Sequence, residues 1–171
     1  MQSEELRNLQ GPLKDKYREQ PESAIITLKA QGKIGQNISC KVETGGAFVE
    51  AGLHPATGGD GMLACSGDLL LEALVACAGV TLRAVSTAIG VEIKDGLIKA
   101  EGDLDFRGTL GVSKEAPVGF KTIRLFFDLD TDASPEQLQT IAKLTERYCV
   151  VYQTLSKGVF VETSFSKTRL A

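Results

Sequence analysis

Apolar and polar positions change their period along this chain, and the longest unbroken pattern runs from residue 68 to 90: Asp-Leu-Leu-Leu-Glu-Ala-Leu-Val-Ala-Cys-Ala-Gly-Val-Thr-Leu-Arg-Ala-Val-Ser-Thr-Ala-Ile-Gly. Leu, Ala, Val and Ile fall on nearly every face of a helix. A helix apolar all round is enclosed by other structure, so this segment is predicted to be the central helix. Glu72 and Arg83 interrupt it, and it is too short to read as a membrane span. Ser66 or Asp68 is the expected N-cap and Gly90 the stop. Ala73, Ala76, Ala78 and Gly79 surround Cys77 with small side chains, so a neighbouring backbone can come close. Gly79 costs about 1 kcal/mol relative to Ala inside a helix, which implies a packing reason.

Ahead of that helix, Leu6, Leu9, Leu13 and Tyr17 form a thin apolar stripe over residues 3–20. This predicts a helical extension, broken at Gly11-Pro12 and ending before Pro21. From residue 23 the period shortens. Residues 24–30 and 37–42 read as strands joined by a Gly32-Lys33-Ile34-Gly35 turn, and residues 47–51 as a third strand. Residues 52–67 form a loop rich in Gly, a length often tied to function. Its Thr57-Gly58-Gly59-Asp60-Gly61 piece lacks the Lys-Ser/Thr continuation of a phosphate loop.

Beyond Gly90, residues 91–106 alternate loosely, with Asp95-Gly96 as a turn or bulge, and 119–129 is the clearest strand. Ser134-Pro135-Glu136-Gln137 has the layout of a capping box with Pro at the first helical position. Leu138, Ile141, Leu144, Thr145 and Tyr148 then share one helical face. A break at Cys149, a short helix ending near Gly158 and a closing strand over 159–165 complete the pattern. The result is one α+β domain over 23–171, preceded by the 1–22 extension.

With 171 residues, 43% hydrophobic and 24% charged, the chain is long enough for a substantial core. A net charge of −3 speaks against electrostatic nucleic-acid binding. The acidic, polar start (Met-Gln-Ser-Glu-Glu-Leu) has no signal-peptide layout, which leaves a cytoplasmic address and no membrane as the expectation. The four cysteines, Cys40, Cys65, Cys77 and Cys149, form no CxxC pair, and His54 is the sole histidine, so no metal site is expected. Free buried thiols or redox chemistry are the two readings open.

A thiol reacts as its thiolate, and the middle of an apolar helix disfavours a thiolate unless something compensates. The N-terminus of its own helix cannot help, because Cys77 lies more than two turns in. If a charge from elsewhere does, an oxidant converts Cys77 to the sulfenic acid and a second thiol can close a disulfide. Cys149, at a helix junction, is the first candidate for that thiol and Cys65 the reserve. Asp68 is equally a first-turn acid favoured by the helix dipole, Lys33 equally a solvated turn charge, and His54 equally an exposed loop residue.

The segment from Cys65 to Leu82, centred on Cys77, resembles the first cysteine motif of the OsmC/Ohr family, the osmotically inducible protein C and organic hydroperoxide resistance proteins. Thr145-Glu146-Arg147-Tyr148-Cys149-Val150-Val151-Tyr152-Gln153-Thr154-Leu155 resembles its second. Gly119-Phe120 leading into a strand, then Ser134-Pro135-Glu136-Gln137, is similar in order and kind. The likeness covers roughly residues 23 to 165. It implies an intertwined homodimer whose strands wrap around two long central helices. It also implies thiol-dependent reduction of organic hydroperoxides, with Cys77 peroxidatic, Cys149 resolving, a lipoyl-type dithiol as reductant and no cofactor.

Three positions depart from the family pattern. Lys33 stands where the family has its catalytic arginine, and lysine offers a point charge without the planar fork. Gly67, with Asp68 beside it, stands where the family has its glutamate, ten residues before Cys77. Val150 replaces the usual proline after the second cysteine. Lys33 and Asp68 are therefore the candidate thiolate-stabilising groups. The changed polar groups also support an alternative: a binding protein of this fold for a small apolar or thiol-containing ligand, with little peroxidase turnover.

Overall fold

The computed structural model describes residues 2–20, 25, 32–34, 39–44 and 47–167. Its centre is helix α2, Ser66–Ala88, 23 residues long and apolar on most faces. Before it come helix α1 (Ser3–Glu19) and strands β1 (Gly32–Ile34), β2 (Ser39–Thr44), β3 (Ala47–Gly52) and β4 (Ala64–Cys65). After it come β5 (Asp95–Leu104), a short helix α3 (Phe106–Thr109), β6 (Phe120–Asp130), α4 (Pro135–Tyr148) and α5 (Val150–Lys157). The strands form a four-stranded sheet in the order β1-β2-β3-β4 and a two-stranded antiparallel sheet of β5 and β6.

The start of α2 differs from the expected cap. β4 pairs in parallel with β3 and runs straight into the helix, so Cys65 is the N-cap residue, without a side-chain capping bond. Asp68 falls instead in the first turn, where a carboxylate favours the helix dipole. At the other end Ile89 caps the helix and Gly90 takes φ +71°, the left-handed conformation that stops it. Gly79 does have a packing reason: a Cβ there would stand 3.0 Å from Cδ1 of Ile98 on β5.

Other expectations are corrected by tertiary context. Residues 32–34 are strand, not turn: β1 pairs antiparallel with β2, and Lys33 sits opposite Lys41. The connection from β1 to β2 lies outside the described residues. The strand expected over 24–30 also lies outside them, except for Ile25, which is exposed and has no regular structure. Helix α1 continues through Pro12 instead of breaking at Gly11-Pro12. A proline removes one backbone hydrogen bond, and Gly11 ahead of it has open space around it. Asp95 and Gly96 open β5 in register with Asp130 and Leu129, and the irregularity comes at the far end, between Asp103 and Leu104.

The closing strand over 159–165 is absent from this chain. The segment has no regular secondary structure, with Val159, Phe160, Val161 and Phe165 exposed. A strand needs a neighbour for its backbone groups, and among the described residues none lies alongside.

Local chemistry elsewhere acts as expected. Ser134 and Gln137 form a reciprocal capping box at the start of α4. Ile141 and Thr145 on its inner face are buried. Helix α2 packs against β5, α4 and α5. Around it lie two apolar clusters. One joins Leu82, Val85, Val91, Ile93 and Ile141. The other joins Leu74, Ala78 and Cys149, with Cys77, Leu125, Tyr152 and Leu155 against it.

Candidate active site

The second cluster brings together two thiols far apart in sequence. Cys77 lies in the middle of α2, half-buried, and Cys149 is the buried residue at which α4 ends and α5 begins. Cys149 is extended (φ −72°, ψ 109°), which turns the chain and points the N-terminus of α5 back toward α2. Neither sulfur is in a disulfide.

The electrostatics follow from that turn. Burial pushes the Cys77 thiol up, but hydrogen bonds outweigh it. The amide N–H groups of Val151 and Val150, the Cys149 thiol and the Thr81 hydroxyl all donate to the Cys77 sulfur, and together hold its pKa below the ordinary thiol value. At Cys149 burial prevails and pushes the thiol up. The Tyr152 amide donates to its sulfur at 3.5 Å and opposes the rise, but the neighbouring Cys77 charge adds to it. Of the two thiols, Cys77 is therefore the more acidic and Cys149 the less acidic. The dipole at the N-terminus of α5 has the sign that favours negative charge at the Cys77 sulfur.

The compensating positive end thus comes from a helix other than the one carrying Cys77. Thr81 was legible in the sequence, because it lies four residues after Cys77 on the same helical face. The two amides were not, since every residue has one and only the fold aims them.

Other expected groups lie elsewhere. Asp68 is exposed, nine residues before Cys77 on α2 and so about 13 Å along the axis. It borders a second cavity, of 350 Å³, with His54, Cys65, Gly67 and Phe120. A Cβ on Gly67 would meet Phe120, Cys65 and Leu104 at 3.4–3.6 Å, ordinary contact distances, so this position faces that cavity. His54 stacks on Phe106 at 4.9 Å, and its Nδ1 accepts the Ala56 amide at 3.0 Å, capping a short 3-10 turn. Lys33 belongs to β1, and its side chain lies outside the described residues, as does that of Cys40. Among the described residues no group of three or more His, Cys, Asp or Glu could hold a metal ion.

A larger cavity, of 580 Å³, opens between α2, β6, α4 and α5. Its walls are mainly apolar, and both Cys149 and Thr145 belong to them, whereas Cys77 does not. Thr145 is 3% exposed, and its hydroxyl has no hydrogen-bond partner among the described residues. Thr140 and Thr87 show the usual solution, donating to the carbonyl four residues back. Leaving a buried hydroxyl unmatched costs about 1–3 kcal/mol.

Fold and site together define an α+β protein with a pair of unlike thiols, Cys77 on its central helix and Cys149 at the α4–α5 junction. The chain belongs to the OsmC-like protein family, whose model matches residues 59–164. Among solved structures it is similar to an OsmC-like protein from Mycoplasma pneumoniae, with TM-score 0.65, 16% identity, and coverage of 78% of this chain and 89% of that one. It is also similar to an organic hydroperoxide resistance protein from Legionella pneumophila, with TM-score 0.61, 18% identity, and coverage of 77% and 90%. A third is the organic hydroperoxide resistance protein OhrB of Bacillus subtilis, with TM-score 0.52, 22% identity, and coverage of 79% and 93%. No curated protein matches it by sequence.

Proposed function

We propose that the protein is a cytoplasmic, homodimeric thiol peroxidase that reduces organic hydroperoxides. The observation that carries this reading is the Cys77 sulfur, held by the Val150 and Val151 amides with the Cys149 thiol beside it. The Cys77 thiolate attacks a peroxide oxygen, the O–O bond breaks, and the alkoxide leaves as the alcohol after taking a proton. The product is a sulfenic acid on Cys77. The Cys149 thiol, losing its proton, then attacks that sulfur. Water leaves and a Cys77–Cys149 disulfide forms. A lipoyl-type dithiol returns both groups to thiols. The protein residues carry the chemistry without a cofactor. Lys33 adds a cation if the partner copy brings it near, but the amides of α5 let one chain hold the thiolate alone.

Homodimerisation is supported by apolar surface that one chain leaves open. Val80, in the middle of α2, is 73% exposed, and Phe160 and Phe165 are more than nine-tenths exposed. A second copy laid along α2 would cover the first, and a strand exchanged between copies would pair residues 159–165.

One equivalent of cumene hydroperoxide, followed by mass mapping of disulfides, tests the reaction. The expected product is a Cys77–Cys149 bond removed by dihydrolipoamide. Cys77→Ser should give none, and Cys149→Ser should accumulate a dimedone-reactive Cys77. Four reduced thiols after treatment would refute the peroxidase. The cavity of 580 Å³ would then favour the second reading, a binding protein for a small apolar or thiol-containing ligand.

A further inference from the structure

The two sulfurs face different surroundings. Cys77 is half-buried and takes no part in the large cavity, whereas Cys149 belongs to the cavity wall and is 1% exposed. A peroxide and a reductant therefore need not share an entrance. We propose that the 580 Å³ cavity is the entry site of the reducing thiol, which lays an aliphatic chain along Leu74, Leu125 and Leu155 and attacks the Cys149 sulfur rather than that of Cys77. The proposal rests on the disulfide cycle above and adds to it the site, the sulfur attacked and the kind of molecule admitted.

Three observations converge. The cavity volume is in the range of sites for small organic molecules, and its walls are mostly apolar. Thr145 in that wall has a hydroxyl without a partner among the described residues, so an occupant carrying a hydroxyl, amide or carboxylate on its chain would supply the missing hydrogen bond. Thiol–disulfide exchange is also directional: the incoming thiolate bonds to one sulfur and expels the other, and the better leaving group has the lower pKa. Cys77, held by the α5 amides, is that leaving group.

The steps balance. The thiolate R–S⁻ attacks Cys149, the Cys77–Cys149 bond breaks, and Cys77 departs with the electron pair as a thiolate. A mixed disulfide, Cys149–S–S–R, remains. The second thiol of a dithiol then attacks the R sulfur, Cys149 leaves and takes up that thiol's proton, and the dithiol departs oxidised as a cyclic disulfide. A monothiol stops at the mixed disulfide, which makes the site of attack observable.

The disulfide is prepared with diamide, so that the test does not depend on peroxide turnover. It is then exposed to 6-mercaptohexanol or 2-mercaptoethanol, quenched with acid at early times, alkylated and mapped. The expected product carries 6-mercaptohexanol on Cys149 and the alkyl label on Cys77. Burial of the longer chain should make it react at least about tenfold faster than 2-mercaptoethanol. Thr145→Val should lower that preference about three- to tenfold, and Thr145→Ser should keep it. A mixed disulfide on Cys77, equal rates for the two thiols, or a preference untouched by Thr145→Val would overturn the proposal. So would a failure of diamide to join the two cysteines. If diamide joins them and hydroperoxide does not, the peroxidase reading alone falls.

Discussion

Replacing Val150 with proline removes one hydrogen bond to the Cys77 sulfur and almost nothing else. Val150 is the first residue of α5, where the amide has no acceptor within the helix and proline is well tolerated. Cys149 ahead of it has the extended backbone that a residue before proline prefers, and the Val150 side chain is 70% exposed. The lost bond is one of four donors to the sulfur, with the Val151 amide remaining as the largest. At about 1 kcal/mol for one hydrogen bond, and about 1.4 kcal/mol per pH unit, the Cys77 pKa should rise by about 0.7. The assay is the pH profile of iodoacetamide alkylation at Cys77, followed by mass spectrometry. Below the pKa the thiolate fraction falls about fivefold; the remaining thiolate is intrinsically more reactive, so the midpoint is a cleaner readout than the rate. Stability follows the same sign. A folded-state pKa held below the unfolded one adds stability that is present above the unfolded value and is lost as pH falls through the folded value, and Val150→Pro shrinks that contribution. Val150→Ala, which keeps the N–H, is the control. Equal midpoints for the two variants, with both folded by circular dichroism, would refute the assignment of the α5 amides.

Two further outcomes are expected. Thr145→Val removes the buried, unpartnered hydroxyl with little change in shape, and should raise stability by about 1 kcal/mol, read as a higher urea midpoint at unchanged slope; a lower midpoint would mean the hydroxyl does have a partner. Val80→Glu puts a charge at the most exposed large apolar side chain of α2 and should convert dimers to monomers in sedimentation velocity, whereas an unchanged dimer would place the interface elsewhere.

The parts of the molecule written into neighbouring residues were legible in advance. The α4 capping box needs only Ser134 and Gln137 three residues apart, and β6 only its run of apolar and β-branched residues. The all-round apolar pattern marked α2 as central, and the two cysteine motifs marked the pair of thiols and the family. What depends on a distant partner could not be read locally. Lys33 became strand because β2 lies beside it, and residues 159–165 stayed unpaired because nothing described in this chain does. The same holds for the chemistry. The sequence by itself determined that Cys77 sits mid-helix among small residues, where burial alone would keep its proton. Tertiary structure shifts the balance toward the thiolate, by turning the chain at Cys149 so that two amides more than seventy residues away point at the sulfur. A pKa reports the field of everything within a few ångströms, and only the fold chooses those neighbours.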